Sequence, residues 1–267
     1  MRYIVDTKAK LLSPIHTGSD EVAGIDKTIR RREYLIGGET LNIPIVSANS
    51  IRGILRRVIA KDYLDLLGIS DKSLTPDFYY TLFSGGALKK SDGKINISTR
   101  REFYKNIPML HLLGSAIGNA ILPGTLIVED MLPIVKQTEQ FTGVKSDIDL
   151  FEVVSEEFGT RRDDYPYKDE VETDKHQMLY RYEVLKAGVE MTFRVGLLSV
   201  ANELDESVLK RGLMLMFKEA RIGGKGAIGL GKVEFDISLK DDEVYKNYIE
   251  ELKDEILEFL KENGFLV

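Results

Sequence analysis

A single carboxylate, Asp26, stands at the head of a basic stretch that holds Lys27, Arg30, Arg31 and Arg32. A carboxylate so placed can hold a divalent cation or take the proton of a 2′-hydroxyl in phosphodiester cleavage. It can equally be half of an ion pair with Lys27 or with one of the three arginines. The surrounding cations favour its ionised form, which suits an ion pair and leaves a weak base near neutral pH. Its nearest acidic companions, Asp20 and Glu21, need not converge on one ion. His16 lies in a Pro/Gly turn, where a histidine is usually a structural hydrogen-bonder. The three histidines, at 16, 111 and 176, lack metal-ligand spacing, and the chain has no cysteine, so neither a disulfide nor a thiolate zinc site can form. No metal or other cofactor is expected.

Two further groups could bind phosphate. Arg52, Arg56 and Arg57, with Lys61, follow the cap-forming Ser47 and Asn49 and the adjacent Ser50. Arg52 and Arg56 are four apart and share a helix face. Arginine near a helix N-terminus opposes the helix dipole, while the same end attracts phosphate, so a bound phosphate would reconcile the two. The bland alternative is a solvated outer face. The second group is the run 222–233, with five glycines in ten positions and Arg221 and Lys225 beside Gly223 and Gly224. Such a run is a tight turn or an anion cradle. It spells GxGxxG and GxxxxGK; the first fails because a helix precedes it and a strand follows, and the second because Val233 stands where Ser or Thr should follow Lys232. Tyr165, Tyr167, Tyr180 and Tyr182 could stack on bases or simply pack.

These residues need elements to position them. Residues 3–12 alternate as a strand. Residues 13–45 form a long connection rich in glycine and charge. A helix is predicted over 47–68, with Ile51, Ile54, Leu55, Val58 and Ile59 as its apolar stripe. Residues 71–108 hold short pieces, and 110–121 reads as a buried turn with a short helix. Strands are predicted over 124–135 and 233–237, and a hairpin pairs 180–184 with 189–200. A second core helix covers 207–218 and an amphipathic helix covers 242–262. The order strand–helix–strands–helix–glycine loop–strand is that of a split βαβ, ferredoxin-like domain, α+β in class. Between the predicted strands, 137–178 is polar and acidic with little periodicity, a poor core former expected to be exposed.

The net charge of −6 is unevenly spread. Residues 240–267 carry −5 and residues 139–175 carry −7, so the remainder, which holds the basic clusters, carries +6. A phosphate-binding face needs only local positive potential. No apolar run approaches the ~20 residues of a membrane helix, and the N-terminus reads as a strand, not a signal peptide. A cytoplasmic protein with no membrane contact is expected.

Three motifs in order carry a family resemblance: Ser13-Pro-Ile-His-Thr-Gly-Ser-Asp20, Gly24-Ile-Asp26, and Ile43-Pro-Ile-Val-Ser-Ala-Asn-Ser-Ile-Arg-Gly-Ile-Leu-Arg56. Together with the glycine loop they resemble the RAMP superfamily, and within it the backbone subunit of CRISPR effector complexes, the seventh Cas family. The resemblance covers most of residues 1–237. Ser84-Gly-Gly-Ala-Leu88 and the Ser47-Ala-Asn-Ser50 variant look closest to the type IV branch, and Gly24-Ile-Asp26 closer to type III. The helix start departs from the usual Gly-Ser, having Ala48-Asn49, and Lys27-Thr28-Ile29 replaces the usual residues after the aspartate.

The resemblance implies a ferredoxin-like (RRM-like) palm with inserted thumb and lid. The palm's first part would be 1–136, with a lid-like insertion at 14–45 and an inserted segment at 71–122. Residues 137–178 would be the thumb, 179–239 the second part of the palm and 240–267 a C-terminal amphipathic helix. It implies a subunit that binds guide RNA along its sugar-phosphate backbone and stacks head to tail with copies of itself in a helical filament. Its other partners would be complementary target nucleic acid and further effector subunits, in antiviral and anti-plasmid defence. The RNA-binding set it implies is His16, Lys27, Arg30, Arg31, Arg32, Asn49, Ser50, Arg52, Arg56, Arg57, Arg221, Gly223, Gly224 and Lys225. In type III relatives the residue matching Asp26 cuts target RNA, so a metal-dependent ribonuclease is one alternative. A guide-processing endonuclease with His16 as base is another.

Overall fold

A computed structural model describes residues 1–18, 26–86, 96–161 and 178–267. Asp20, Glu21, Gly24, Ile25, Leu88, Tyr165, Tyr167 and His176 lie outside the described residues.

In chain order, β1 (Arg2–Leu11) and the short β2 (Asp26–Lys27) precede a hairpin of β3 (Arg31–Ile36) and β4 (Glu39–Pro44). The hairpin turns through Gly37 and Gly38, both at positive φ, the two-residue turn whose twist matches the strands. Four helices follow: α1 (Ala48–Leu67), α2 (Pro76–Ser84), α3 (Ile97–Asn106) and α4 (Pro108–Leu113). Next come the paired β5 (Ser115–Ile117) and β6 (Ala120–Leu122), then β7 (Leu126–Val128) and α5 (Glu139–Thr142). The rest comprises β8 (Val154–Arg161), β9 (Met178–Leu185), β10 (Glu190–Leu197), α6 (Glu203–Glu219), β11 (Val233–Phe235), α7 (Val244–Glu251) and α8 (Lys253–Glu262).

The central sheet is antiparallel, in the order β11-β1-β10-β7. With α1 after β1 and α6 after β10, this is the ferredoxin-like palm, and the fold is α+β as predicted. The apolar sides of α1 (Ile51, Leu55, Ile59) and α6 (Leu209, Leu213, Met216) share one core with Val5, Phe193 and Val195 of the sheet. The two helices cross at Gly212, where a Cβ would stand 2.5 Å from Ile59 Cγ1, so only glycine permits this approach. Helix α1 starts and stops where its caps predict. Ser47 Oγ accepts from Ser50 N at 3.3 Å, and Gly68 closes the other end at φ +75°.

Four expectations change. The predicted hairpin of 180–184 with 189–200 does not form. Strand β10 joins the central sheet, whereas β9 pairs antiparallel with β8 and parallel with β2. The apolar residues of β9 explain this, because Tyr182 and Val184 bury themselves with Leu230 in a separate small cluster. The connection 13–45 is not structureless, since it holds the β3–β4 hairpin. The inner side of that hairpin, Tyr34, Ile36, Leu41 and Ile43, packs with Ile45, Leu132 and Phe141. The alternation is hidden in the sequence because Arg32 and Glu39 share the inner side while Leu35 is exposed on the outer one.

The described part of 137–178 contributes to the interior, with Thr138, Thr142 and Val153 buried. Polar burial is tolerated there because the Thr138 hydroxyl donates to Pro133 O at 2.6 Å and accepts from Val135 N at 3.1 Å. The C-terminal helix is two helices, broken at Leu252, whose ψ of 10° leaves the helical range. Both keep the predicted apolar face, with Tyr245, Ile249, Ile256 and Leu260 buried.

Candidate nucleic-acid interface

The start of α1 is already occupied. Asp130 Oδ1 accepts from Ala48 N at 2.6 Å, placing a carboxylate where a phosphate was expected, and Arg32 pairs with the same carboxylate. Arg52 and Arg56 turn away from any such ligand. Arg52 donates to Leu126 O and Leu113 O, both at 2.9 Å. Arg56 donates to Gly114 O at 2.7 Å, Leu113 O at 3.0 Å and Leu82 O at 3.5 Å. The Leu82, Leu113 and Gly114 carbonyls are left over at helix ends and that of Leu126 at the start of β7, and a guanidinium fork is suited to collecting them. Burial, and secondarily the charge of Arg52, pulls Arg56 down to about 10. The expectation that this pair grips phosphate is therefore corrected: both arginines bind α4 and its surroundings to α1. Ser50 Oγ is engaged with Ser47 Oγ at 2.9 Å, while Asn49 and Arg57 are exposed.

The basic stretch after Asp26 divides in the same way. Arg31 forks onto Glu183, Nη1 to Oε2 at 2.7 Å and Nη2 to Oε1 at 2.9 Å, and Ile29 N donates to the same carboxylate at 3.0 Å. The Arg31 hydrogen bonds hold Glu183 below the usual carboxylate range. Arg30 is half-buried, and its backbone bridges Thr17 and Ile45. Lys27 is exposed on β2. Asp26 enters β2 opposite Arg181, and of it the structure describes the backbone alone. His16 is buried, its Nδ1 2.8 Å from Glu183 O and its ring edge-on to Tyr182. It is a structural hydrogen-bonder, and its own carbonyl accepts from Gly224 N at 2.9 Å.

That last bond docks the glycine loop on the turn at 14–16, as does Gly231 N to Pro14 O at 2.9 Å. Two glycines are fixed by this docking. A Cβ on Gly223, at φ +86°, would lie 2.8 Å from His16 O, and one on Gly231, at φ +88°, would lie 2.3 Å from Ile222 O. Between them the loop lifts Lys225, itself at φ +61°, over two tyrosine rings. Its Nζ is 4.1 Å from the Tyr182 centroid and 5.1 Å from that of Tyr180. Tyr182 is anchored through its hydroxyl, which donates to Glu157 at 2.9 Å, and Tyr180 lies across Gly159, where a Cβ would meet its ring at 2.3 Å. These tyrosines pack and seat the lysine.

Burial, then the neighbouring Lys27, lowers the Lys225 pKa. Among the described residues neither lysine pairs with a carboxylate. Arg221 and Gly223 meet Arg57 along a nearby cleft. So Lys27, Lys225, Arg221, Gly223, Gly224 and Arg57 gather around the loop, while Arg31, Arg32, Arg52 and Arg56 are committed to the fold. Sequence reasoning missed Glu183 and Asp130 as the acceptors that take those arginines, and no local signal marks either.

The sequence model of the RAMP superfamily matches residues 8–234. The chain belongs to the RAMP superfamily. Its fold is also that of a chain from a solved Type IV-B CRISPR complex, at 18% identity and a TM-score of 0.64, covering 87% of this chain and 89% of that one. No curated protein sequence matches. Among the described residues of this RAMP protein, no group of three or more His, Asp or Glu gathers to hold a metal ion. No helix is long and apolar enough to cross a membrane, again among the described residues.

Proposed function

We propose that this RAMP protein is a backbone subunit of a CRISPR effector complex that holds guide RNA by its sugar-phosphate chain. The observation that carries this reading is Lys225, seated on Tyr180 and Tyr182 and near enough to Lys27 to feel its charge, with neither lysine in an ion pair among the described residues. Two ammonium groups brought together without a counter-charge attract an anion, and phosphate oxygens supply one. Gly226 adds to the argument. Its φ is not in the left-handed region and a Cβ there would meet nothing within 4 Å, so the fold does not require glycine at this position. A nucleic-acid backbone lying close against the loop would.

Contacts of this kind fix position and carry no base sequence, which leaves recognition of a target to pairing with the guide. Copies stacked head to tail along one guide form an open helical arrangement. Target nucleic acid and other effector subunits are the further partners, and the setting is cytoplasmic defence against mobile elements.

The test is the salt dependence of binding to single-stranded oligouridine. Log affinity should fall linearly with log salt, and Lys27→Gln with Lys225→Gln should reduce the slope by about two, one for each lost phosphate contact. A double variant with unchanged slope would overturn this site.

A further inference from the structure

The cleft that Arg221 and Gly223 open has a volume of about 640 Å³, within the range of small-molecule sites. Its other walls include Arg57 and Lys61 of α1 and Tyr79 and Phe83 of α2. Tyr79 is 44% exposed and has an aromatic partner packed beside it. That partner is Phe83, one helical turn on, stacked at 4.6 Å between centroids and 26° between planes. Phe83 therefore stiffens Tyr79 as a flat surface at the cleft.

The cleft carries charges of both signs, and among the described residues they are not neutralised as ion pairs. Arg57, Lys61 and Arg221 are exposed, and among the described residues none of them pairs with a carboxylate. Arg221 uses Nη1 on Leu230 O at 3.2 Å, and that is its one hydrogen bond among the described residues. Asp65, Asp71 and Glu219 line the same cleft without closing an ion pair to these cations.

A supported aromatic face next to several unpaired cations matches the chemistry of one nucleotide in a single strand. The base stacks on the ring, and the flanking phosphates meet the cations. We propose that this cleft takes one nucleotide of the bound RNA, its base against Tyr79 and its phosphates against Arg57, Lys61 and Arg221. The inference rests on the RNA-binding reading above and adds a seat for a base, continuous with the glycine loop through Gly223. That reading needs only phosphate contacts. This one makes a single base per subunit stack on protein.

The probe is oligouridine carrying one 2-aminopurine, moved along the strand, with the full-length protein. In one register the fluorescence of the bound probe should change on stacking. Tyr79→Ala should remove that change and weaken binding about 10-fold, while Tyr79→Phe should keep both. Arg57→Gln should lower the salt slope by about one. An unaltered signal and affinity in Tyr79→Ala, with binding still sensitive to Lys27→Gln and Lys225→Gln, would remove the base seat and leave the scaffold reading standing. Absence of any RNA binding by the wild type at low salt would remove both. Capture of polyglutamate at the cleft with no 2-aminopurine response would make it a protein-docking surface and overturn the proposal.

Discussion

At the scale of single residues, arginines of similar appearance have opposite fates. Arg52 and Arg56 stand where phosphate binding is expected and are spent on carbonyls, whereas Arg57, one position further on, is exposed. Arg56→Ala should cost about 1.5–3 kcal/mol in denaturant unfolding, because charge-assisted hydrogen bonds to buried carbonyls are lost. It should leave the salt slope of RNA binding unchanged. A reduced slope with unaltered stability would return Arg56 to the interface.

The Arg31–Glu183 fork gives a pH dependence whose sign is fixed. Glu183 titrates below its ordinary value because Arg31 hydrogen-bonds its ionised form. The folded state thus binds this proton less readily than the unfolded chain. The contribution is complete above the ordinary glutamate value of 4.5 and is lost as pH falls through the lower folded value. Glu183→Gln should lower stability at neutral pH and flatten the acid limb of the stability curve, as read by thermal melts across that window.

At the scale of elements, the second sheet is the part whose form departs most from expectation. Strands β8 and β9 pair along their whole length, ending with Arg161 opposite Met178. Replacing residues 162–177 by Asn-Gly would close this ladder with a two-residue turn. This sheet meets the main core at its other end, through Val154 and Leu185, so the melting temperature should move by only a few degrees, on the order of 1 kcal/mol. If 137–178 acts as the thumb, the shortened protein should still bind RNA but lose regular spacing in a nuclease-protection ladder. A variant that fails to fold would place the segment in the core instead.

For the whole molecule, an acidic chain can still offer a basic track, because the negative charge is concentrated in residues 139–175 and 240–267. The α7–α8 tail, in the second of these, packs its apolar face on the main core and leaves its acids outward. Head-to-tail copies on a guide should therefore form in proportion to guide length. Sedimentation of the protein with RNAs of increasing length should show particle mass rising in equal steps. A single mass at every length would indicate a monomeric binder and exclude the filament.

Local signals were enough for the framework. Ser47 and Gly68 delimit α1, apolar spacing marks α6, and the order of elements around the glycine run already describes a ferredoxin-like palm. These follow from caps, periodicity and turn chemistry, all of which act within a few residues. The tertiary structure alone decided which cations remain available. Asp130 reaches Ala48 across 82 positions, and Glu183 reaches Arg31 across 152. It likewise placed β9 beside β8 and set Lys225 on two tyrosines. Ion pairs and ring contacts depend on distance in space, and the sequence separation of their partners carries no trace of it.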